Sequence, residues 1–200
     1  MLYIIRHGQT NWNLENRIQG QYDIPLNETG RAQAHATAEK LVRFAPEHII
    51  SSDLSRAMET AQIVGDRLHI TVDYDARLRE YDFGSFTGLV RADIEPIVEK
   101  TFFVNPTQFG AESMQDAFAR VGAFLQDIDY SKNTLVVTHG GVINFALCYL
   151  EDKNNFDARS YLDKCLHTKI KNASILRISD LESGMSVLKN TRFFKLPKSR

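Results

Sequence analysis

Short apolar runs alternate along this chain with stretches in which apolar residues recur every three or four positions. Leu2 to Ile5 reads as a buried strand. Asn27 can cap a helix that carries Ala34, Ala38 and Leu41 at helical spacing. His48 to Ile50 predicts a second short strand. Asp53 then stands where a cap belongs, ahead of a helix with Ala57, Ala61, Val64 and Leu68 on one face. Thr71 to Tyr74 predicts a third strand. Met114, Phe118, Val121, Leu125 and Ile128 fall on one helical stripe, the cleanest amphipathic pattern in the sequence. Thr134 to Thr138 predicts a buried strand, and Gly140-Gly141 opens the helix after it. Ser174 to Ile178 and Met185 to Lys189 read as two late strands. Alternation of this kind predicts an α/β domain with a mainly parallel sheet. Ligands on such sheets bind at the carboxyl ends of strands. Arg6-His7-Gly8, Ser51 to Arg56 and His139-Gly140-Gly141 all fall at such ends, so the topology is expected to gather them on one rim.

Composition narrows the function. The 200 residues predict one domain over 1–200 with a full core, without repeats, low-complexity tracts or a linker. With 24 basic and 25 acidic residues the formal charge is -1, so no global field favours nucleic acid or an anionic membrane. Anion recognition must therefore come from local placement. Cys148 and Cys165 are expected to be reduced, partly buried thiols, because one bridge is not a disulfide framework. Neither a secretory signal nor a run of membrane-spanning length is visible, so a cytoplasmic protein is expected.

The residues at the three strand ends can carry phosphate chemistry. A neutral imidazole such as His7 is a good nucleophile toward phosphorus once its other nitrogen is held. It needs a cation beside it, and Arg6 offers bidentate geometry. A positive Arg56 in the first turn of a helix opposes the macrodipole, whereas an anion shared with that helix start accounts for it. His139 can donate to phosphoryl oxygens, and the helix-opening amides of Gly140 and Gly141 can face a phosphate. Glu80, among Tyr81, Phe83 and Phe86, is expected to be partly desolvated, which favours a protonated carboxyl able to serve an alkoxide leaving group. Asp82 competes for that role. Each piece alone has a bland explanation. A strand-end histidine can satisfy one hydrogen bond, Arg56 can pair with Asp53 or Glu59, and Glu80 can simply be solvated near Arg79.

The ordered set resembles the histidine phosphatase superfamily, in its phosphoglycerate mutase-like branch, over most of the chain. The matching positions run from Arg6-His7-Gly8 through Asn13, Arg17, Gln19-Gly20, Pro25-Leu26-Asn27 and Gly30 to Ser51-Ser52, Arg56-Ala57 and Thr60-Ala61. They continue through Glu80, Phe83-Gly84, Phe86, Gly88, Glu112-Ser113, His139-Gly140-Gly141 and Asn172-Ala173-Ser174. The resemblance implies a three-layer α/β/α fold of that type. It implies His7 as the nucleophile, with Arg6, Arg56 and His139 as the phosphate pocket and Glu80 as proton donor and later base. Asn13, Gln19, Gly20, Glu112 and Gly140 are implied substrate-binding positions. No cofactor or metal is implied, and the expected partner is a small phosphomonoester. Gln9 stands where many relatives have Glu, which removes a charge near the pocket.

Two branch choices follow. Acid phosphatases of the superfamily place Asp directly after the second histidine, where this chain has Gly140, so Glu80 is the expected acid. Phosphoglycerate mutases carry a longer basic insertion, whereas here Gly88 to Glu112 contains only Arg91 and Lys100 as basic residues. A short lid also protects a phosphoryl-enzyme poorly from water. A metal-independent hydrolase is therefore expected, of the size of small bacterial and α-ribazole phosphatases. Mutase-type transfer and a silent phospholigand-binding scaffold are the alternatives. Residues 89–111 are expected to form a lid, with Phe102, Phe103 and Phe109 either facing substrate or packing internally. The substrate and the oligomeric state, a dimer included, stay open. A haloacid-dehalogenase site at Val72-Asp73-Tyr74-Asp75 fails at Arg77, and a cysteine phosphatase fails because Asn154 and Lys171 lie six residues after the cysteines. No P-loop and no zinc spacing occur.

Overall fold

The computed structural model describes residues 1–167, 170–178 and 192–194, without the side chains of 163–167 and 192–194. The elements in chain order are β1 (Leu2–Arg6), α1 (Asn11–Leu14), α2 (Glu28–Leu41), β2 (His48–Ser51), α3 (Ser55–Leu68), β3 (Val72–Tyr74), α4 (Pro96–Val104), α5 (Met114–Asp127), β4 (Thr134–Thr138), α6 (Gly140–Glu151), α7 (Ala158–His167), β5 (Ile175–Ile178) and β6 (Arg192–Phe194). The six strands form one sheet in the order β3-β2-β4-β1-β5-β6. The first four are parallel; at the other edge β5 runs antiparallel to β1, and β6 antiparallel to β5. The sheet is thus mainly parallel, as expected. The anticipated strand from Met185 to Lys189 lies outside the described residues.

Alternation along the central strands builds two cores. Leu2 and Ile4 of β1 join Val136 of β4 against α5 and α6. Tyr3 and Ile5 join Leu135 and Val137 against α2 and α3. Successive side chains of a strand point to opposite faces, so a strand covered on both faces must be apolar throughout. This explains the continuous runs in β1 and β4 and gives the three-layer α/β/α architecture. The Asn27 side chain caps α2 by accepting from Gly30 N at 2.8 Å. Ser113 caps α5 by accepting from Asp116 N at 3.0 Å. Asp53 does not cap α3: the N-cap position is Leu54, whose amide donates to Ser52 Oγ at 3.3 Å. The Asp53 carboxylate is taken instead by Arg79, at 2.5 and 2.7 Å.

Segment 89–111 contains α4 and two short 3-10 turns. Phe102 is buried and packs on Phe86 with ring centroids 4.4 Å apart, and Phe109 sits 5.1 Å from Phe86. Gly84, at φ +51°, lets Phe109 O approach to where a Cβ would lie 2.2 Å away. Only glycine tolerates that approach. Phe102 is therefore core, Phe109 is half-buried against it, and Phe103 alone of the three faces the cavity described below. Cys148 is buried, while the Cys165 side chain lies outside the described residues. Among the described residues no helix is long and apolar enough to cross a membrane.

Candidate active site

Strand register brings the chemistry together. Arg6 pairs with Thr138, and Ser51 pairs with Val137. One residue beyond those pairs, His7, His139 and Ser52 leave three adjacent strands side by side. His7 N donates to Thr138 O at 2.9 Å, and Ser52 N donates to Val137 O at 2.9 Å. The His7 and His139 rings lie with centroids 5.1 Å apart. After His7 the backbone passes so close to α2 that a Cβ on Gly8 would lie 2.4 Å from Gly30 O.

The His7 ring is buried, and its Nδ1 lies 2.6 Å from Gly8 O. A carbonyl only accepts, so Nδ1 carries the proton and Nε2 keeps its lone pair. Burial, then Arg56 and Arg6, hold the ring well below its ordinary value of 6.5, against the opposing hydrogen bond to Gly8. His7 is therefore uncharged at neutral pH, with a tautomer that leaves Nε2 free to attack phosphorus.

Arg56 is fully buried in the first turn of α3. It pairs with neither Asp53 nor Glu59. Its guanidinium donates to Gly20 O at 2.7 Å and Tyr22 O at 2.8 Å. Glu59 accepts from Arg31 instead. Burial outweighs the pull of Glu80 and Asp23 and lowers Arg56 to about 10, so it keeps its charge at neutral pH. Arg6 Nη1 donates to Ile170 O at 2.7 Å. Burial lowers Arg6 as well, opposed by Glu80. A buried cation whose protein partners are carbonyls is costly unless an anion shares the site. His139 Nε2 lies 2.8 Å from Ser52 Oγ. Burial, then Arg56, His7, Arg6 and Arg120, keep His139 well below 6.5. Arg6 Nε, Arg56 Nε and His139 Nδ1 are buried with no protein partner.

Glu80 supplies the carboxylate. Oε1 accepts from Tyr81 N at 2.9 Å and Oε2 from Gly141 N at 3.3 Å. The Gly141 amide thus serves Glu80 and not a phosphate, a correction to the sequence expectation. A Cβ on Gly141 would lie 2.5 Å from Glu80 Oε1, so the glycine makes room for the carboxylate. Asp82, the local competitor, accepts from Gly84 N at 2.9 Å and does not line the cavity.

These groups line a cavity of about 450 Å³ that also takes in Asn13, Gln19, Gly20 and Gly140. Asn13 Oδ1 accepts from Thr10 N and from Asn172 Nδ2, both at 3.1 Å, which turns its amide nitrogen outward as a donor. Gln19 Oε1 accepts from Thr10 Oγ1 at 3.0 Å. His139 stands behind the lining, covered completely. Glu112 is not part of the cavity: its carboxylate is paired with Arg120 at 2.6 Å and accepts from Asp82 N at 2.8 Å. Arg17, Arg91, Asn144 and Tyr161 are among the lining residues given no site role from sequence. Ile18 N donates to Leu89 O and Arg91 N to Asn16 O, and this pairing of segments some 70 positions apart sets the two arginines at one mouth. Local sequence carried no sign of it, although Arg17 lies within the matched stretch. Among the described residues no group of three or more His, Cys, Asp or Glu is placed to hold a metal ion.

Two buried guanidiniums, two uncharged imidazoles and one carboxylate around a single concavity define a site for phosphoryl transfer through histidine. The chain belongs to the histidine phosphatase superfamily (branch 1), whose family model matches residues 2–188. It is 37% identical over 193 residues to phosphoglycerate mutase-like protein 4 of Arabidopsis thaliana, covering 90% of this chain and 80% of that one. It is 35% identical to a probable phosphoglycerate mutase, GpmB, of Enterobacter sp. (strain 638), covering 91% and 86%. Among solved structures it resembles a mycobacterial glucosyl-3-phosphoglycerate phosphatase complexed with VO3, with TM-score 0.76, 35% identity and 89% and 92% coverage. A phosphoserine phosphatase of Entamoeba histolytica, in complex with 3-phosphoglyceric acid, gives TM-score 0.72 at 27% identity, covering 88% of each chain. The protein is an enzyme acting on phosphate esters.

Proposed function

We propose that this chain hydrolyses small phosphomonoesters through a phosphohistidine on His7, without a metal ion. His7 Nε2 attacks phosphorus, and the bond to the leaving oxygen breaks while Glu80 delivers a proton to it. Glu80 then takes a proton from water, whose oxygen displaces Nε2 and releases inorganic phosphate. Arg6 and Arg56 carry the phosphoryl charge throughout, and His139 backs them from behind the cavity lining with its ring 5.1 Å from that of His7. The observation that carries this reading is the His7 ring, fixed as the Nδ1–H tautomer and kept uncharged between two arginines. Asn13, Gln19, Gly20 and Gly140 line the same cavity, and segment 89–111 contributes Arg91 and Phe103 to its wall.

Arg17 and Arg91 add a feature. Two further guanidiniums at the mouth favour a leaving group that bears its own acidic group, as in a phosphorylated hydroxy acid. The same pair also supports a second reading, mutase-type transfer, in which the phosphoryl group returns to such an acid. The short stretch between Gly88 and Glu112 supports hydrolysis.

The test is quenched turnover of a ³²P-labelled phosphomonoester, 3-phosphoglycerate first, in EDTA. The reading requires a labelled adduct on His7, none in His7→Ala, and inorganic phosphate as product. No adduct in the wild type would leave only a phospholigand binder. Label transferred between hydroxyls of the acid without phosphate release would make the enzyme a mutase, and activity lost to EDTA would remove metal independence.

A further inference from the structure

We propose that Arg120, which lies outside the cavity, is the positioning residue for the proton donor. The inference rests on the reading of Glu80 as that donor. Glu80 sits in an irregular stretch between two short 3-10 turns, Ala76–Leu78 and Gly84–Phe86, so no regular ladder holds its backbone. Carbonyl groups there still require partners. Thr138 Oγ1 donates to Leu78 O at 2.8 Å and Gln21 Nε2 to Glu80 O at 3.2 Å, while one side chain serves three carbonyls at once. Arg120, on the polar side of α5, donates through Nη1 to Arg77 O at 2.7 Å and Arg79 O at 2.8 Å. Through Nη2 it reaches Glu80 O at 3.2 Å and Glu112 Oε1 at 2.6 Å, and through Nε it reaches Glu112 Oε2 at 2.9 Å.

Glu112 completes the clamp. Its Oε1 accepts from Asp82 N at 2.8 Å, and its carbonyl accepts from the Tyr81 hydroxyl at 2.6 Å. The pair therefore grips residues 77, 79, 80, 81 and 82 in succession. The position of the Glu80 carboxylate depends on this grip, because its Oε1 is held by Tyr81 N within the clamped stretch and its Oε2 by Gly141 N of α6. A shift of the stretch moves one anchor relative to the other, and with it the distance from carboxyl to leaving oxygen. Lysine cannot replace Arg120: an ammonium keeps the charge but lacks the planar fork that meets three carbonyls and a carboxylate together.

The test separates positioning from folding by its dependence on the leaving group. An alkoxide must be protonated as it departs, whereas p-nitrophenolate leaves without a proton. The ratio kcat/KM for 3-phosphoglycerate over kcat/KM for p-nitrophenyl phosphate does not depend on the fraction of enzyme folded. Arg120→Lys and Arg120→Met are expected to lower kcat/KM for 3-phosphoglycerate about 10–100-fold and for p-nitrophenyl phosphate less than about threefold. Glu80→Gln is expected to show the same bias. The double variant Glu80→Gln/Arg120→Lys should be no worse on 3-phosphoglycerate than Glu80→Gln alone, since a misplaced donor and an absent one fail at the same step. Equal losses on both esters in the Arg120 variants, no loss, or losses that multiply in the double variant overturn the inference while leaving Glu80 as the donor. Equal losses in Glu80→Gln itself remove the donor and the inference with it.

Discussion

The two uncharged imidazoles make stability sensitive to acid at a pH where carboxylates are still ionised. The perturbation is a drop from pH 7.5 to 5.5. Burial, Arg56 and Arg6 hold His7 well below 6.5, and burial with Arg56, His7, Arg6 and Arg120 does the same to His139. In the unfolded chain both rings return to about 6.5. Because the folded values are depressed, the unfolded chain takes up protons below pH 6.5 while the native chain does not. The stability contributed by keeping the rings neutral is complete above about pH 6.5 and is lost as the pH falls toward the folded values. The slope is about 1.4 kcal/mol per pH unit per ring once below 6.5. Over this span it amounts to about 3 kcal/mol for the two rings, or a fall in Tm of roughly 6–12 °C for a chain of this size. Asp53 and Asp75 are held low by hydrogen bonds from Arg79 and Arg77, so their contribution is lost only at lower pH. Urea midpoints followed by circular dichroism at pH 7.5, 6.5 and 5.5, with a His7→Gln/His139→Gln variant alongside, measure the effect. A wild-type loss below about 1 kcal/mol, or an unchanged slope in the double variant, refutes the reasoning.

Other outcomes are equally concrete. Gly141→Ala places a methyl 2.5 Å from Glu80 Oε1, and steady-state kinetics should show turnover of an alkyl monoester falling about 100-fold with the fold intact. Ser52→Ala removes the partner at His139 Nε2 and the acceptor of Leu54 N, so it should lower kcat about 10–100-fold and, by urea titration, stability by about 1–3 kcal/mol. Arg17→Met with Arg91→Met should raise KM for 3-phosphoglycerate about tenfold or more and leave p-nitrophenyl phosphate nearly unchanged. His69 ends α3 exposed at φ +59°, so His69→Gly should add about 0.5–1 kcal/mol to unfolding free energy, read as a rise in Tm of roughly 1–4 °C, with full activity.

The fold was legible where burial forces a pattern. Strands covered on both faces must be apolar without interruption, and β1 and β4 announced themselves that way. The stripe of α5 did the same, as did the cap at Asn27 that opens α2. Asp53 misled because a short acid ahead of a helix is a good cap only when no stronger partner is near; Arg79, 26 positions on, is that partner. The antiparallel turn of β5 and the helix α4 were not legible. Strand direction is a property of the connection, and α4 keeps apolar side chains on its exposed side, including Ile97 and Val104, so its periodicity is blurred.

The site divides along the same line. His7 and His139 could be placed because each ends a strand, and adjacent parallel strands in register deliver their next residues to one point. Arg56 could be placed because a cation at a helix start is electrostatically wrong without an anion. Glu112, Arg17, Arg91 and Arg120 depend on which segments meet across the fold, and their local surroundings point elsewhere or nowhere. Glu112 is an acid in a matched motif, yet its carboxylate faces Arg120 and never reaches the cavity. That misplacement is informative. The phosphoryl end of the site is built from strand termini, which a sheet cannot shift without losing register. The acid and the leaving-group side are built from loops tied by single side chains. On the proposed reading, substitutions at Arg17, Arg91 or Arg120 therefore change substrate choice or proton delivery while His7, Arg6 and Arg56 stay where β1 and α3 put them.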